Sequence, residues 1–303
     1  MKAEWIDPSL LRDFEAEGTD AHRLATIKDG WVERFGRDIL VSFKTMAARD
    51  RLVLELHLWG AAVGFNFGRI FSRFLPKQNE ERERPRLLFG NAAENLQTTA
   101  SERHLKFGID FGAGYSVGLF VDQRENRAYL RRLAPQRLLN CFAYTCSFSV
   151  AAAAVGATTV NIDFSKKSLA WGRTNFAFNS LTPTGHQFIA DDVLKVLPRL
   201  VRRGEKFEAI VLDPPTFSRL RPGKVFRVER DFEELLFMAL ELATRDGHIL
   251  LSTNCSALGK QALEVMARYC LKTARRAAKI QHAPALPDFL PGRGASSIWL
   301  SLR

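Results

Sequence analysis

Hydrophobic and polar positions follow two different patterns along the chain. From about residue 138 onward, short apolar runs of strand length alternate with longer stretches of helical periodicity. The spacing predicts strands at 138–144, 158–164, 186–191, 207–213 and 248–253, and helices at 148–155, 167–179, 193–203, 228–244 and 260–273. Two last strands, 277–282 and 297–302, are joined by a loop rich in proline and glycine. Alternating strand and helix implies a largely parallel sheet covered on both faces. The fold class is therefore α/β, with seven strands in a Rossmann-like order.

The pattern before that point is less regular. A helix is predicted from residue 8 to about 25, with Asp7 as N-cap and Pro8 in its first turn. Residues 30–41 read as one strand, and the alternation RLVLELHLW makes 52–59 another. FNFGRIFSRF, 65–74, reads as an amphipathic core element, and the charged, proline-bounded stretch 76–86 as an exposed loop. Strands follow at 104–111 and 115–121. The expected division is a small α+β substrate-recognition domain with its linker over 1–130, and a catalytic domain over 131–303.

The stretch IVLDPPTFS, 210–218, is where the second pattern acquires chemistry. A buried strand ends at Asp213, and Pro214 and Pro215 force the chain out of the sheet. That sets a carboxylate, a rigid turn and Phe217 at the carboxyl end of a strand, where ligands bind in open α/β sheets. Main-chain carbonyls and Asp213 can hold an amino group or base edge there, while Phe217 stacks on the base. The turn resembles the (Asp/Asn)-Pro-Pro-aromatic signature of methyltransferases acting on planar nitrogen or base substrates.

Three further strand ends carry candidate ligands. The first predicted strand ends in Tyr144, Thr145, Cys146 and Ser147, with no glycine between Asn140 and Ser149. A G-x-G-x-x-G dinucleotide fingerprint is therefore absent, which argues against a dehydrogenase. The second ends in Asp163 and Phe164. An acid at this place accepts hydrogen bonds from a ribose diol, and a helix N-cap role is compatible with that. The third ends in Asp191 and Asp192, of which Asp192 is expected to meet an adenine amino group.

Charge and cysteine content narrow the partner and compartment. The chain has 303 residues and a formal net charge of +11, which favours an anionic partner, nucleic acid first. Arg219, Arg221, Lys224, Arg227 and Arg230 follow the DPPTFS turn and are placed for phosphates. A second cluster, Arg268, Lys272, Arg275, Arg276 and Lys279, fits a solvated helix face. Cys141, Cys146, Cys255 and Cys270 form no C-x-x-C pair, so no metal site is expected, and a reduced, cytoplasmic setting is. No run approaches the length of a membrane span, and no secretion signal is expected at the N-terminus. Monomer and homodimer are both compatible with the sequence.

Six segments together resemble the bacterial large-subunit (23S) rRNA methyltransferase family in sequence and order: DQRENR after GYSVGLFV, LLNCFAYTCSFSVAAAAVGA, NIDFSKKSLAWGRTNFAFN, FIADDV, IVLDPPTFS and ILLSTNCS. The resemblance is strong over about 85–303 and weaker over 18–60. It implies S-adenosylmethionine as cofactor, a small β-rich domain ahead of the catalytic one, and structured RNA as substrate, either 23S rRNA or a precursor ribosomal particle. By position, it implies that Asp163 holds the ribose, Asp192 the adenine, and Asp213 the methionine side or the target base. Gln123 and Arg124 are implied on the connection covering the pocket. The family usually has glycine where this chain has Cys146, so a bulkier cofactor turn is expected, and the PUA-type RNA module of the cytosine branch is not recognisable.

Members of that family make 5-methylcytosine or N7-methylguanine. Cytosine C5 needs a thiolate to add to C6 first, and Cys255 stands in the region of that nucleophile. Guanine N7 has its own lone pair and needs none. The DPPTFS turn and Ser252-Thr253-Asn254 resemble the guanine branch, and Cys255 also reads as a small residue at a strand end. Guanine N7 is thus favoured over cytosine C5. The competing functions are a catalytically silent RNA-binding protein, prompted by Cys146, and a small-molecule methyltransferase.

Overall fold

The computed structural model describes residues 3–303 apart from 78–79, 92, 94, 222–223 and 256, and leaves the side chains of 217–221, 224–227 and 229 outside the description. The chain divides into two compact units, 1–122 with 286–291, and 123–285 with 292–303. The expected boundary at 130/131 falls inside a helix that belongs to the second unit.

In the first unit the elements run β1 (Glu4–Trp5), α1 (Pro8–Ala16), β2 (Ala21–Ile27), β3 (Gly30–Phe35), β4 (Asp38–Phe43), α2 (Met46–Val63), β5 (Ile70–Phe74), β6 (Arg86–Phe89), β7 (Gln97–Glu102) and β8 (Leu105–Asp110). Strands β1 to β6 form one sheet in chain order, and β7 pairs with β8 in a separate hairpin. Only β4 and β5 are parallel neighbours, because α2 carries the chain back between them.

Four expectations fail in this unit. The first helix stops at Ala16 instead of continuing to about 25: Gly18 is left-handed at φ 67°, and the next strand is almost wholly buried. Residues 30–41 are two strands, β3 and the start of β4, turned by Gly36 at φ 63°. Residues 52–59 are the middle of α2, not a strand. The Thr45 side chain accepts a bond from Ala48 N at 3.2 Å to cap that helix, and left-handed Gly64 ends it. Its buried face is Ala48, Leu52, Leu56 and Gly60, a spacing of four. The alternation arose because Leu54 and Leu58, 61% and 63% exposed, lie on the outer face. Residues 115–121 form no strand and lead into a 3-10 turn, Val121–Gln123.

The second unit runs α3 (Arg124–Leu133), β9 (Arg137–Cys141), α4 (Ser147–Ala153), β10 (Thr158–Asp163), α5 (Lys166–Phe178), β11 (Gln187–Ala190), α6 (Val193–Arg202), β12 (Phe207–Leu212), β13 (Phe217–Arg221), β14 (Lys224–Arg227), α7 (Val228–Leu242), β15 (Ala243–Thr253), α8 (Lys260–Thr273), β16 (Ala278–His282) and β17 (Ser296–Leu302). Its sheet has seven strands in the order β11-β10-β9-β12-β15-β17-β16. Only β17 runs against the rest, pairing antiparallel with both β15 and β16. This is the expected α/β Rossmann-like sheet. One core, on the side of α6, α7 and α8, includes Val196, Leu200, Leu235, Leu236, Leu263 and Ala267. The other, on the side of α3 and α4, includes Leu130, Phe148, Ala152 and Trp299. The chain after the DPP turn has the backbone of an antiparallel hairpin, β13 with β14. Among the described residues no helix is long and apolar enough to cross a membrane.

Candidate active site

Parallel strands bring their carboxyl ends to one edge of the sheet. The strand order therefore gathers the turn after β9, Asp163 ending β10, Asp191 and Asp192 after β11, and Asp213 after β12. Strand β9 lies between β10 and β12, so its turn is central.

That turn, 142–146, is strained and firmly held. Phe142, Tyr144 and Cys146 all have left-handed backbones, with φ of 59°, 47° and 59°. Each such residue costs on the order of 1 kcal/mol and persists only where its surroundings over-determine it. Ala143 N donates to Ile162 O at 3.0 Å and Cys146 N to Ala143 O at 2.7 Å. Tyr144 N donates to Asp163 Oδ2 at 2.8 Å. From α5, the buried Asn175 Nδ2 donates to Thr145 O at 2.9 Å.

Helix α5 also explains the missing glycine. A Cβ added at Gly172 would lie 2.5 Å from Cys146 Sγ and 3.0 Å from Cys146 Cβ. The Cys146 side chain thus fills the space that Gly172 leaves, and it is wholly buried. The expected extra bulk goes into the helix packing and not onto the sheet edge. Burial, and then the negative charge of Asp163, push the Cys146 thiol well above its usual range, so it is no nucleophile.

Asp163 ties two elements together. Its Oδ2 accepts from Tyr144 N, and its Oδ1 accepts from Ser165 N at 2.8 Å. Ser165 in turn caps α5 through Ser168 N at 3.1 Å. Partial burial raises the Asp163 pKa, and the two backbone donors oppose that rise. Each carboxylate oxygen keeps a second lone pair, so the group can still accept from a diol. The following Phe164 is 55% exposed. A carboxylate with acceptor capacity beside an exposed ring fits the donating hydroxyls of a ribose and the face of an aromatic base.

The other strand ends are arranged differently. Asp192 is buried and caps α6, its Oδ1 accepting from Leu194 N at 3.0 Å. Asp191 accepts from Asp192 N at 2.8 Å and pairs with Arg199 at 3.1 Å. The Asp192 backbone and the Arg199 guanidinium hold its carboxyl below the usual range. Asp213 is half-buried directly after β12, with Pro214 buried and Pro215 exposed. Cys255 is buried in the core beside α7 and α8, and its N–H donates to Thr253 Oγ1 at 3.0 Å. The side chains of Phe217, Arg219, Arg221, Lys224 and Arg227 lie outside the described residues.

Gln123 and Arg124 do not line an open pocket, since they are 2% and 0% exposed. Gln123 Nε2 donates to Ser252 Oγ at 2.7 Å, and its Oε1 accepts from Asn126 Nδ2 at 2.7 Å. Asn126 Oδ1 then accepts from Trp299 Nε1 at 3.0 Å. The DQRENR segment is thus a buried polar brace between the start of α3 and strands β15 and β17. An amphipathic reading misses it because its polar side chains face inward. Gly172 and Asn175 were also missed. Their only signal is a glycine and an asparagine at helical spacing on the inner side of α5.

Comparison with known proteins agrees with this architecture. Residues 72–301 match the family described as S-adenosylmethionine-dependent methyltransferase. Ribosomal RNA large subunit methyltransferase I of Tolumonas auensis is 33% identical over 210 residues, covering 68% of this chain and 52% of that protein. Ribosomal RNA large subunit methyltransferase K/L of Legionella pneumophila is 42% identical over 167 residues, covering 54% of this chain and 23% of that protein. The chain spans about half the length of the methyltransferase I relatives it matches. Among solved structures, a methyltransferase complexed with SAH superposes with a TM-score of 0.80 at 23% identity, covering 97% of this chain and 78% of that one. The SAM-dependent methyltransferase from Agrobacterium tumefaciens gives 0.73 at 22% identity, covering 94% and 90%. At such identities the likeness is one of fold. With its strand order, its acidic strand ends and a family match over most of its length, this chain belongs to the S-adenosylmethionine-dependent methyltransferase family.

Proposed function

We propose that the protein transfers a methyl group from S-adenosylmethionine to a base of large-subunit rRNA, with guanine N7 as the acceptor in preference to cytosine C5. The observation that carries the cofactor half is Asp163, which joins the turn after β9 to the start of α5 and keeps acceptors for a diol. The RNA half is supported by the relatives, which are large-subunit rRNA methyltransferases, and by the net charge of +11. The seat of Cys146 over Gly172 weakens the case for a silent fold, because the cysteine does not crowd the sheet edge.

The cofactor supplies an electrophilic methyl group on a sulfonium. In this reading Asp163 holds the ribose, Asp192 meets the adenine amino group with the acceptor capacity left by its capping bond, and Phe164 covers the ring. Tyr144, Thr145, Cys146, Ser147 and Asp191 shape the turn and the edge. Asp213 and the Pro214 turn orient the target base, with Phe217 stacking on it, so that the acceptor lone pair points along the methyl–sulfur axis. Arg219, Arg221, Lys224 and Arg227 on the hairpin neutralise phosphates. Cys255 packs with core residues, which favours an acceptor that needs no thiolate. The cysteines form no disulfide among the described residues, and a reduced cytoplasmic setting fits an rRNA substrate.

Mass mapping of rRNA nucleosides from a strain lacking the gene tests the proposal. A methylguanine missing at one large-subunit position, and restored by the purified enzyme, is the expected outcome. A missing 5-methylcytosine, or a covalent adduct of Cys255 with 5-fluorocytosine RNA, would overturn the choice of atom. An unchanged map with no cofactor binding by calorimetry would overturn the function.

A further inference from the structure

The end of the seven-stranded sheet opposite the candidate site carries much of the exposed basic charge of its unit. Because β12, β15 and β16 run parallel, the residues just before or at their starts gather at one edge. Those residues include Arg202, Arg203, Arg245, Lys272, Arg275 and Lys279, all exposed. The exposed acids in the same stretches are Glu241 and Asp246. With neighbouring strands about 4.8 Å apart, the cations span about 15 Å of edge. The length of β12 sets them about 20 Å from Asp213.

Cations near helix C-termini have an ordinary explanation, which is neutralising the helix dipole and capping its last carbonyls. At the end of α7 that role is filled by other residues, whereas Arg202 and Lys272 stand in the last turns of α6 and α8. Arg276 donates from Nη1 to Leu240 O and from Nη2 to Thr244 O, each at 2.9 Å, and Lys206 Nζ donates to Glu241 O at 2.6 Å. Two of these bonds satisfy carbonyls in the last turn of α7, and the one to Thr244 O reaches the start of β15. Elsewhere in the unit, Arg137 pairs with Glu205 and Arg268 with Glu264. Among the described residues none of the six rim cations is held in an ion pair or a side-chain hydrogen bond to a carbonyl. Their side chains bind no carbonyl or acid there, and they are exposed and adjacent, which is the arrangement that neutralises a row of phosphates.

We infer that this rim is a second, sequence-independent docking surface for the backbone of the RNA substrate, remote from the nucleotide that is methylated. The inference rests on the RNA reading above. It implies that the enzyme holds a structured RNA at two places on one unit, with the rim supplying affinity and the opposite edge chemistry.

The test compares the parent chain with the variant Arg203→Glu/Arg245→Glu/Arg275→Glu/Lys279→Glu and with the four corresponding Gln changes. Binding to deproteinised 23S rRNA from cells lacking the gene is measured across a salt series, with S-adenosylmethionine affinity measured in parallel. The Gln variant should flatten the dependence of log affinity on log salt by about three to four phosphate equivalents, and the Glu variant should lose at least tenfold in RNA affinity at low salt. Cofactor affinity should not move in either. An unchanged salt slope in the Gln variant overturns the inference, and a lowered melting temperature beside that unchanged slope assigns the cations to helix ends. If the parent itself shows neither salt-dependent binding nor methyl incorporation into this RNA, the RNA reading fails together with the rim. If the parent shows both and the variants match it, the rim alone fails.

Discussion

The two ends of the second unit's sheet are built on opposite principles. At the carboxyl edge the acids are committed: Asp163 takes two backbone donors, Asp192 caps a helix, and a left-handed turn is locked by α5. At the amino edge, charge is dense, basic and largely uncommitted. A small ligand with fixed hydrogen-bonding groups needs the first kind of surface, because misplacement by an ångström costs its orientation. A polyanion needs the second, because phosphate attraction is long-ranged and tolerant of geometry. The difference separates positioning from attraction within one sheet.

The sharpest way to break the comparison is to loosen the rigid edge. Gly172→Ala places a methyl 2.5 Å from Cys146 Sγ, and overpacking of this kind costs about 1–3 kcal/mol. Unfolding in denaturant should show that loss, together with weakened cofactor binding. Adding Cys146→Gly should restore most of it, so the two changes should be non-additive by about 1 kcal/mol or more. Simple additivity would mean that the cysteine does not press on α5.

Removing the Asp163 carboxylate separates orientation from charge. Asp163→Ala should weaken S-adenosylmethionine at least tenfold, about 1.4 kcal/mol, while the salt slope for RNA stays constant. Equal affinity in calorimetry would reject the ribose assignment. The pH dependence has a definite sign. Burial raises the folded pKa of Asp163, so the folded protein holds this proton more tightly than the unfolded chain. As pH falls through that raised value, the carboxylate loses acceptor capacity and cofactor affinity should drop at a higher pH than an ordinary aspartate would give. Asp163→Asn should abolish this dependence.

The hairpin after the DPP turn follows the candidate edge but carries cations, so it tests whether attraction is confined to the far rim. Neutralising Arg219, Arg221 and Lys224 should flatten the salt slope by up to about three phosphate equivalents and leave cofactor affinity unchanged. An unchanged slope would confine phosphate contacts to other surfaces. The smallest effect is expected at Cys255. Its thiol lies in the core, so Cys255→Ala should leave turnover within a few-fold of the parent, whereas Asp213→Ala should lower it far more. Loss of turnover in Cys255→Ala with folding intact would make the thiol catalytic.

Much of the second unit was legible because its signals are local. An apolar run of strand length followed by an acid reports both a strand and the position of a carboxylate at its end. The alternation of β and α then allows few topologies. The helix 260–273 was read to the residue, and the strand ends carrying Asp163, Asp192 and Asp213 were placed correctly along the chain. The first unit was less legible because its helix α2 exposes Leu54 and Leu58. Exposed Leu54 and Leu58 alternating with buried Leu52 and Leu56 give helix and strand the same local pattern, and only the capping by Thr45 and Gly64 separates them.

The α/β architecture of the second unit, the order of its strand-end acids and the basic balance of the chain follow from neighbours in the chain and from composition. Tertiary structure alone decided three other matters. It turned the DQRENR segment inward as a brace, it seated Cys146 over Gly172, and it brought Arg203, Arg245, Arg275 and Lys279 to one edge. Each depends on residues far apart in the chain meeting across a packed sheet. Whether a side chain is surplus, clashing or satisfied is a property of that meeting, set by close packing and by which backbone groups remain unpaired.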